Sequence, residues 1–173
     1  IVVVLPEEHI PLWENLRARF DVAPHRMVAG GKERFYSVLN GINALAEDVE
    51  YIAVHDGVRA LVTKKLIIRA MLAAEEHDAV IPVVDVVDSY RRVEGDDSHI
   101  VPRTELRIVQ TPQVFKASLL RKAYDVPFSP TFTDDASVVE AMGHKITLVE
   151  GERANIKLTT PEDMTYAEAL SKN

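Results

Sequence analysis

The chain is 173 residues long, 47% hydrophobic and 27% charged, which fits one domain with a proper core and excludes a disordered, collagenous or coiled-coil polymer. It holds no cysteine, so a disulfide scaffold, a thiolate zinc site and a cysteine nucleophile are excluded. Twenty Lys and Arg against 27 Asp and Glu give a net charge of −7, which argues against nucleic acid or an anionic membrane as a partner.

The chain opens inside an apolar run, Ile1-Val2-Val3-Val4-Leu5, which reads as a buried strand ended by Pro6. A start without a methionine or polar lead-in leads us to expect a preceding segment that is absent from this sequence. No apolar stretch approaches the ~20 residues needed to cross a bilayer, and no leader with a small-residue cleavage site is present. A soluble, cytoplasmic protein is the expectation.

Residues Ile10 to Phe20 read as a short helix. Met27 to Ala29 reads as a strand running into Gly30-Gly31, after which Phe35, Val38, Leu39, Ile42, Leu45 and Ala46 recur at helical spacing. Tyr51 to Val54 is a further strand, ending at His55-Asp56-Gly57, and Thr63 caps a helix with the apolar stripe Leu66, Ile67, Ala70, Met71 and Ala74. Ala79 to Val87 is a third apolar strand. Strands alternating with helices in this way predict an α/β domain over residues 1–173 with a mostly parallel sheet covered by helices on both faces.

From Asp88 to Arg107 the pattern changes to a polar β-hairpin turning at Gly95-Asp96-Asp97-Ser98, an arm that projects to meet a partner. Ile108 to Phe115 returns to strand and Ala117 to Tyr124 to helix. Thr133-Asp134-Asp135 opens a helix that stops at Gly143, and Ile146 to Val149 is a strand. Thr160-Pro161-Glu162-Asp163 opens the last helix with a cap, a proline and first-turn acids.

Ligands of open α/β sheets lie beyond the carboxyl ends of the strands, and four such ends carry polar groups. Gly30-Gly31-Lys32-Glu33-Arg34 can bring backbone amides and a helix start to an anion, or be an ordinary turn. Asp56-Gly57-Val58-Arg59 places a carboxylate and a guanidinium within one turn, suited to a ribose or metal and a phosphate, or to a surface ion pair. Arg91, Arg92, Arg103 and Arg107 make the arm basic, for phosphate contacts or for solubility. Lys157 follows a strand, where its charge can neutralise a polyphosphate or snorkel at the surface. The six histidines lack metal-ligand spacing. The G-x-S-x-G, P-loop and G-x-G-x-x-G motifs are all missing.

Taken in order, several runs resemble the 2-C-methyl-D-erythritol 4-phosphate cytidylyltransferase family. They are Ala29-Gly30-Gly31-Lys32-Glu33-Arg34 with Ser37-Val38 and Gly41, Val54-His55-Asp56-Gly57-Val58-Arg59, Pro82-Val83 to Asp88-Ser89, and Val101-Pro102-Arg103. Gln110-Thr111-Pro112-Gln113, Phe132-Thr133-Asp134-Asp135-Ala136-Ser137, Val149-Glu150-Gly151 to Asn155-Ile156-Lys157, and Thr160-Pro161-Glu162-Asp163 complete the set.

The resemblance implies a Rossmann-like three-layer nucleotidyltransferase fold. It implies transfer of a cytidylyl group from CTP to methylerythritol phosphate, with release of pyrophosphate, in non-mevalonate isoprenoid synthesis. It places Gly31, Lys32 and Ser37 at the cytosine and Gly57 at the ribose. Asp56, Arg59, Ser89, Arg103 and Lys157 fall around the acceptor and the reacting phosphates, with Thr111 and Thr133 as further substrate contacts. Lys157 is then expected to stabilise the transition state and Arg103 to hold the attacking phosphate. Mg²⁺ is expected on the triphosphate, with Asp56 as a candidate protein ligand.

The same resemblance implies a homodimer whose arm, residues 88–107, carries Ser89 and Arg103 to the neighbour's site. The family's opening strand, its A-A-G-x-G-x-R-M loop and its P-K-Q are not in this sequence, so the 173 residues alone are expected to be inactive. Lys32 stands where the family often has an acid, Ser89 where threonine is common, and Gly57-Val58 replaces a small-residue pair. A cytidylyltransferase for another polyol phosphate, such as ribitol phosphate, and a non-catalytic dimerisation or binding fragment are the alternatives.

Overall fold

The computed structural model describes residues 1–171. In chain order the first elements are β1 (Val2–Leu5), α1 (Ile10–Arg17), β2 (Arg26–Ala29), α2 (Arg34–Asn43), β3 (Tyr51–Val54), α3 (Lys64–His77) and β4 (Ala79–Asp85). Then come β5 (Tyr90–Glu94), β6 (Asp97–Val101), β7 (Arg107–Val109), β8 (Gln113–Lys116), α4 (Ala117–Ala123), α5 (Asp135–Glu140), β9 (Thr147–Glu150) and α6 (Pro161–Ser171). The chain packs as two compact units, Ile1–Ile52 with Lys116–His144, and Ala53–Phe115 with the chain from Lys145 onward.

In the first unit β1 and β2 pair in parallel, Val2 opposite Arg26 and Leu5 opposite Ala29. A parallel pair needs a crossover, and α1, with Pro11 in its first turn, supplies it. β1 is half-buried rather than buried, because it belongs to a two-stranded sheet with β2 as its strand neighbour. The core is aromatic: Phe35 of α2 stacks on Tyr124 at 4.7 Å and on Phe132 at 5.7 Å. Leu120, Val138 and Val139 from α4 and α5 are buried with them. α5 starts with a reciprocal cap in which Asp134 accepts from the Ser137 amide at 2.9 Å, while the Ser137 hydroxyl accepts from the Asp134 amide at 3.2 Å.

In the second unit the Thr63 hydroxyl accepts from the Leu66 amide at 3.1 Å and starts α3, whose buried face is Leu66, Ala70 and Ala74. That face packs on β4, where Ala79, Val80 and Ile81 are buried. The sheet order is β3-β8-β4-β7, with β9 also on β4. β9 runs parallel to β4, but β7 and β8 both run antiparallel to it, so the expectation of a mostly parallel sheet is corrected. The cause is connectivity: no α-helix separates β4 from β7, only the β5–β6 hairpin and one 3₁₀ turn at Arg103–Glu105, so the chain returns to β4 without a helical crossover.

The expected strand from Ile108 to Phe115 is also split. Val83 pairs with Val109 and Val80 with Val114, so three steps along β4 face five along the partner, and the extra residues interrupt the ladder at Gln110–Pro112. Gln110 still donates its amide to the Pro82 carbonyl at 2.8 Å.

The hairpin is present, β5 against β6, but its turn is tighter than the expected Gly95-Asp96-Asp97-Ser98: Glu94 lies opposite Asp97, the turn is Gly95-Asp96 alone, and Asp97 and Ser98 belong to β6. Gly95 has φ of 63°, the left-handed value such a turn demands. Both strands are largely exposed, including Tyr90, Val93 and Ile100. Among the described residues no helix is long and apolar enough to cross a membrane.

Candidate active site

β3 delivers the chain into His55-Asp56-Gly57-Val58-Arg59, and hydrogen bonds tie this turn to two other segments of the second unit. The Asp56 amide donates to the Thr111 hydroxyl oxygen at 3.1 Å. That oxygen lies 3.0 Å from His55 Nδ1, and His55 Nε2 lies 3.2 Å from the Arg59 carbonyl oxygen. A carbonyl only accepts, so in the neutral ring Nε2 carries the proton and Thr111 donates its hydroxyl hydrogen to Nδ1. Burial of the ring pushes the His55 pKa below its usual value and so favours that neutral form. Thr111 is 4% exposed, which makes it part of the floor under Asp56.

The Arg59 guanidinium donates to the Asn155 carbonyl at 2.8 Å and to the Val109 carbonyl at 3.2 Å. Burial lowers its pKa, and the nearby Asp56 charge opposes that shift. Gln110 uses both ends of its amide on Glu152, Nε2 donating to the carbonyl at 2.8 Å and Oε1 accepting from the amide at 3.0 Å. Asn155, fully buried, donates from Nδ2 to the Thr111 carbonyl at 2.8 Å. Leu158 closes the junction, its backbone amide donating a hydrogen bond to the Val58 carbonyl at 2.8 Å.

On this floor stands the pair that the sequence placed far apart. Lys157 Nζ is 3.2 Å from Asp56 Oδ2, and Arg59 Nε is 3.9 Å from the same oxygen. Asp56 is mostly covered, whereas the Lys157 side chain is half exposed, so the cluster presents an ammonium to solvent. Two cations around one carboxylate leave a net positive site, suited to an anionic ligand such as a polyphosphate. Among the described residues no three His, Cys, Asp or Glu side chains converge on a point. Gly57 has open space where a Cβ would stand, so the turn does not require glycine there.

Other candidates lie elsewhere in the second unit. Ser89 is exposed just before β5. Arg103 donates to the Val87 carbonyl at 2.8 Å and lines a groove of about 450 Å³ with Thr104, Arg107 and Arg153.

In the first unit Gly31, Lys32 and Ser37 line one cleft of about 560 Å³ together with Leu5, Pro6 and Gly30. The Ser37 hydroxyl accepts from the Gly31 amide at 3.0 Å and donates to the Glu33 carbonyl at 3.2 Å, which folds the loop onto the start of α2. A Cβ on Gly31 would stand 2.3 Å from that of Tyr36, so only glycine fits. Thr133 is exposed directly before the Asp134 cap.

Sequence reasoning did not single out His55, Gln110 or Asn155 as site residues. The usable signal was a pair of amides inside or beside apolar runs, since a buried amide must find partners.

The whole chain, residues 1–173, matches the family described as 2-C-methyl-D-erythritol 4-phosphate cytidylyltransferase. A protein of that description from Bacteroides thetaiotaomicron is 50% identical over 171 residues, spanning 98% of this chain and 78% of the relative. One from Bacteroides fragilis is 48% identical over 172 residues, with the same shares. The crystal structure of the Thermus thermophilus cytidylyltransferase superposes with a TM-score of 0.79 at 33% identity, covering 99% of this chain and 82% of that one. The 4-diphosphocytidyl-2C-methyl-D-erythritol synthase of Anaerococcus prevotii reaches a TM-score of 0.87 at 28% identity, covering 100% and 78%. With every residue matched and half of them shared with one such relative, this chain belongs to the 2-C-methyl-D-erythritol 4-phosphate cytidylyltransferase family.

Proposed function

We propose that this protein transfers the cytidylyl group of CTP to 2-C-methyl-D-erythritol 4-phosphate, releasing pyrophosphate, in non-mevalonate isoprenoid synthesis. Family membership carries the reaction, and the half-exposed Lys157 ammonium beside Asp56 is the structural observation that supports it.

An oxygen of the acceptor phosphate forms a bond to the α-phosphorus of CTP. The bond from that phosphorus to the α,β-bridging oxygen breaks, and its electron pair leaves with pyrophosphate. Anion meets anion, so the barrier is electrostatic and no covalent intermediate on the protein is required. In this reading Lys157 meets the charge that develops on the α-phosphate oxygens, and Asp56 aligns its ammonium. Arg59 and Thr111 fix the turn that carries Asp56 and border the acceptor.

Gly31, Lys32 and Ser37 are assigned to the cytosine and Gly57 to the ribose. Arg103 is assigned to the acceptor phosphate, with Ser89 and Thr133 as further contacts. Mg²⁺ enters as the counter-ion of the triphosphate substrate. The arm, residues 88–107, is assigned to a homodimer interface, a reading supported by its exposed Tyr90, Val93 and Ile100. The reaction is placed in the cytoplasm.

The test is pyrophosphate release by the full-length protein with CTP and Mg²⁺, comparing methylerythritol phosphate with ribitol phosphate. Preference for methylerythritol phosphate supports the assignment. Equal or faster turnover of ribitol phosphate overturns the acceptor, and no release with either overturns the reaction.

A further inference from the structure

Lys157 owes its place to the backbone beneath it, because its own side chain is half exposed and makes its ionic contact with Asp56 at 3.2 Å. Two residues earlier, Asn155 is wholly buried. Its carbonyl accepts from Arg59 at 2.8 Å and from Gln110 Nε2 at 3.3 Å, while its Nδ2 holds the Thr111 carbonyl at 2.8 Å. Gln110, 3% exposed, clamps Glu152 through both ends of its amide. These bonds join the segments that carry Asp56, Thr111 and Lys157.

Asn155 is a costly way to build such a junction. Its Oδ1 is buried and has no hydrogen-bond partner among the described residues, and an unmatched buried acceptor opposes folding. What the side chain supplies is direction: one amide hydrogen on the Thr111 carbonyl fixes the main chain two residues before Lys157.

We propose that Asn155 and Gln110 are positioning residues for the transfer, setting the place of the Lys157 ammonium against Asp56 without touching either substrate. The inference rests on the assignment of Lys157 in the proposed function. A misplaced charge lowers the rate of the chemical step while leaving nucleotide capture largely intact, because its stabilisation is needed only at the transition state.

Full-length Asn155→Ala and Gln110→Met are compared with Lys157→Ala at saturating substrates, and Asn155→Ser serves where Asn155→Ala does not fold. The expected result is a kcat lower by on the order of 10- to 100-fold, with the KM for CTP changed by less than about threefold. A direct readout comes from NMR of the protein with its lysines reductively ¹³C-methylated. The Lys157 signal, assigned by its loss in Lys157→Arg, is expected to move in Asn155→Ala in the same direction as in Asp56→Asn. Wild-type kcat in both amide variants, with Lys157→Ala impaired, overturns the inference, as does an unmoved Lys157 signal. Wild-type kcat in Lys157→Ala removes the lysine from the proposed function instead, so the two failures are distinguishable.

Discussion

Tyr124 donates its hydroxyl hydrogen to Oδ1 of Asp135 at 2.6 Å, and the carboxylate that receives it is wholly buried. Arg34 grips the same carboxylate through two bonds, at 3.1 and 2.7 Å, so the buried charge is paired and both oxygens are satisfied. Tyr124 also stacks on Phe35, which joins this polar knot to the aromatic core of the first unit.

Tyr124→Phe keeps the ring and removes the bond to an ionised group, so it is expected to destabilise the protein by about 1.5–3 kcal/mol in urea unfolding. Burial, then the Asp135 charge, raises the Tyr124 pKa far above its usual value. The folded state therefore holds this proton where the unfolded state releases it. Its contribution is complete below the unfolded pKa of about 10 and declines as pH rises beyond it. The variant is expected to show a shallower alkaline loss of stability, and an unchanged alkaline limb would refute the coupling.

Gly31→Ala is expected to destabilise the folded loop where Gly57→Ala does not. The first would drive a methyl to 2.3 Å from the Tyr36 Cβ, while the second enters open space. Relief of the clash requires the loop to shift off Ser37, at a cost of about 1–3 kcal/mol. Thermal melting of both variants distinguishes them.

Arg103→Ala is expected to raise the KM for methylerythritol phosphate by on the order of 10- to 100-fold while sparing CTP binding. Its bond to the Val87 carbonyl is an exposed one, so the fold should survive the change. A loss confined to CTP affinity would place this arginine on the other ligand.

His55 is expected to make folding more favourable as pH rises through its titration range. Burial depresses its pKa in the folded state, so between the folded value and the unfolded value of about 6.5 the unfolded chain binds more protons. The contribution is complete above the unfolded pKa and is lost as pH falls towards the folded one. In His55→Gln the acid dependence of the urea midpoint is expected to flatten; an identical profile would show that the ring does not titrate on unfolding.

Local signals in the sequence carried well into the structure. Thr63 and Asp134 cap their helices because a cap is settled within three residues, and the Gly95-Asp96 turn forms for the same reason. The sheet's mixed sense was not legible, since apolar runs give strands without their direction and β4 meets three partners drawn from distant segments. Asp135 reads as an ordinary first-turn acid, and its burial depends on Arg34, 101 residues away. Asp56 and Lys157 were each legible as candidates from their places after strands. That Thr111, Gln110 and Asn155 would meet beneath them depends on long-range packing that no local pattern encodes.

The interruption between β7 and β8 has an arithmetic side. Because the excess over β4 is two residues, an even number, the side-chain alternation of the partner emerges from the break in the phase with which it entered. A paired insertion or deletion at 110–112 would keep the phase of the pleat while breaking the bonds of Gln110 to Glu152 and of Thr111 to the Asp56 turn, whereas a single one would also exchange the two faces of β8. Val114 and Phe115, both fully buried but unequal in volume, would trade places and leave one side of the sheet overfilled and the other underfilled. Length drift in this segment is quantised by the pleat.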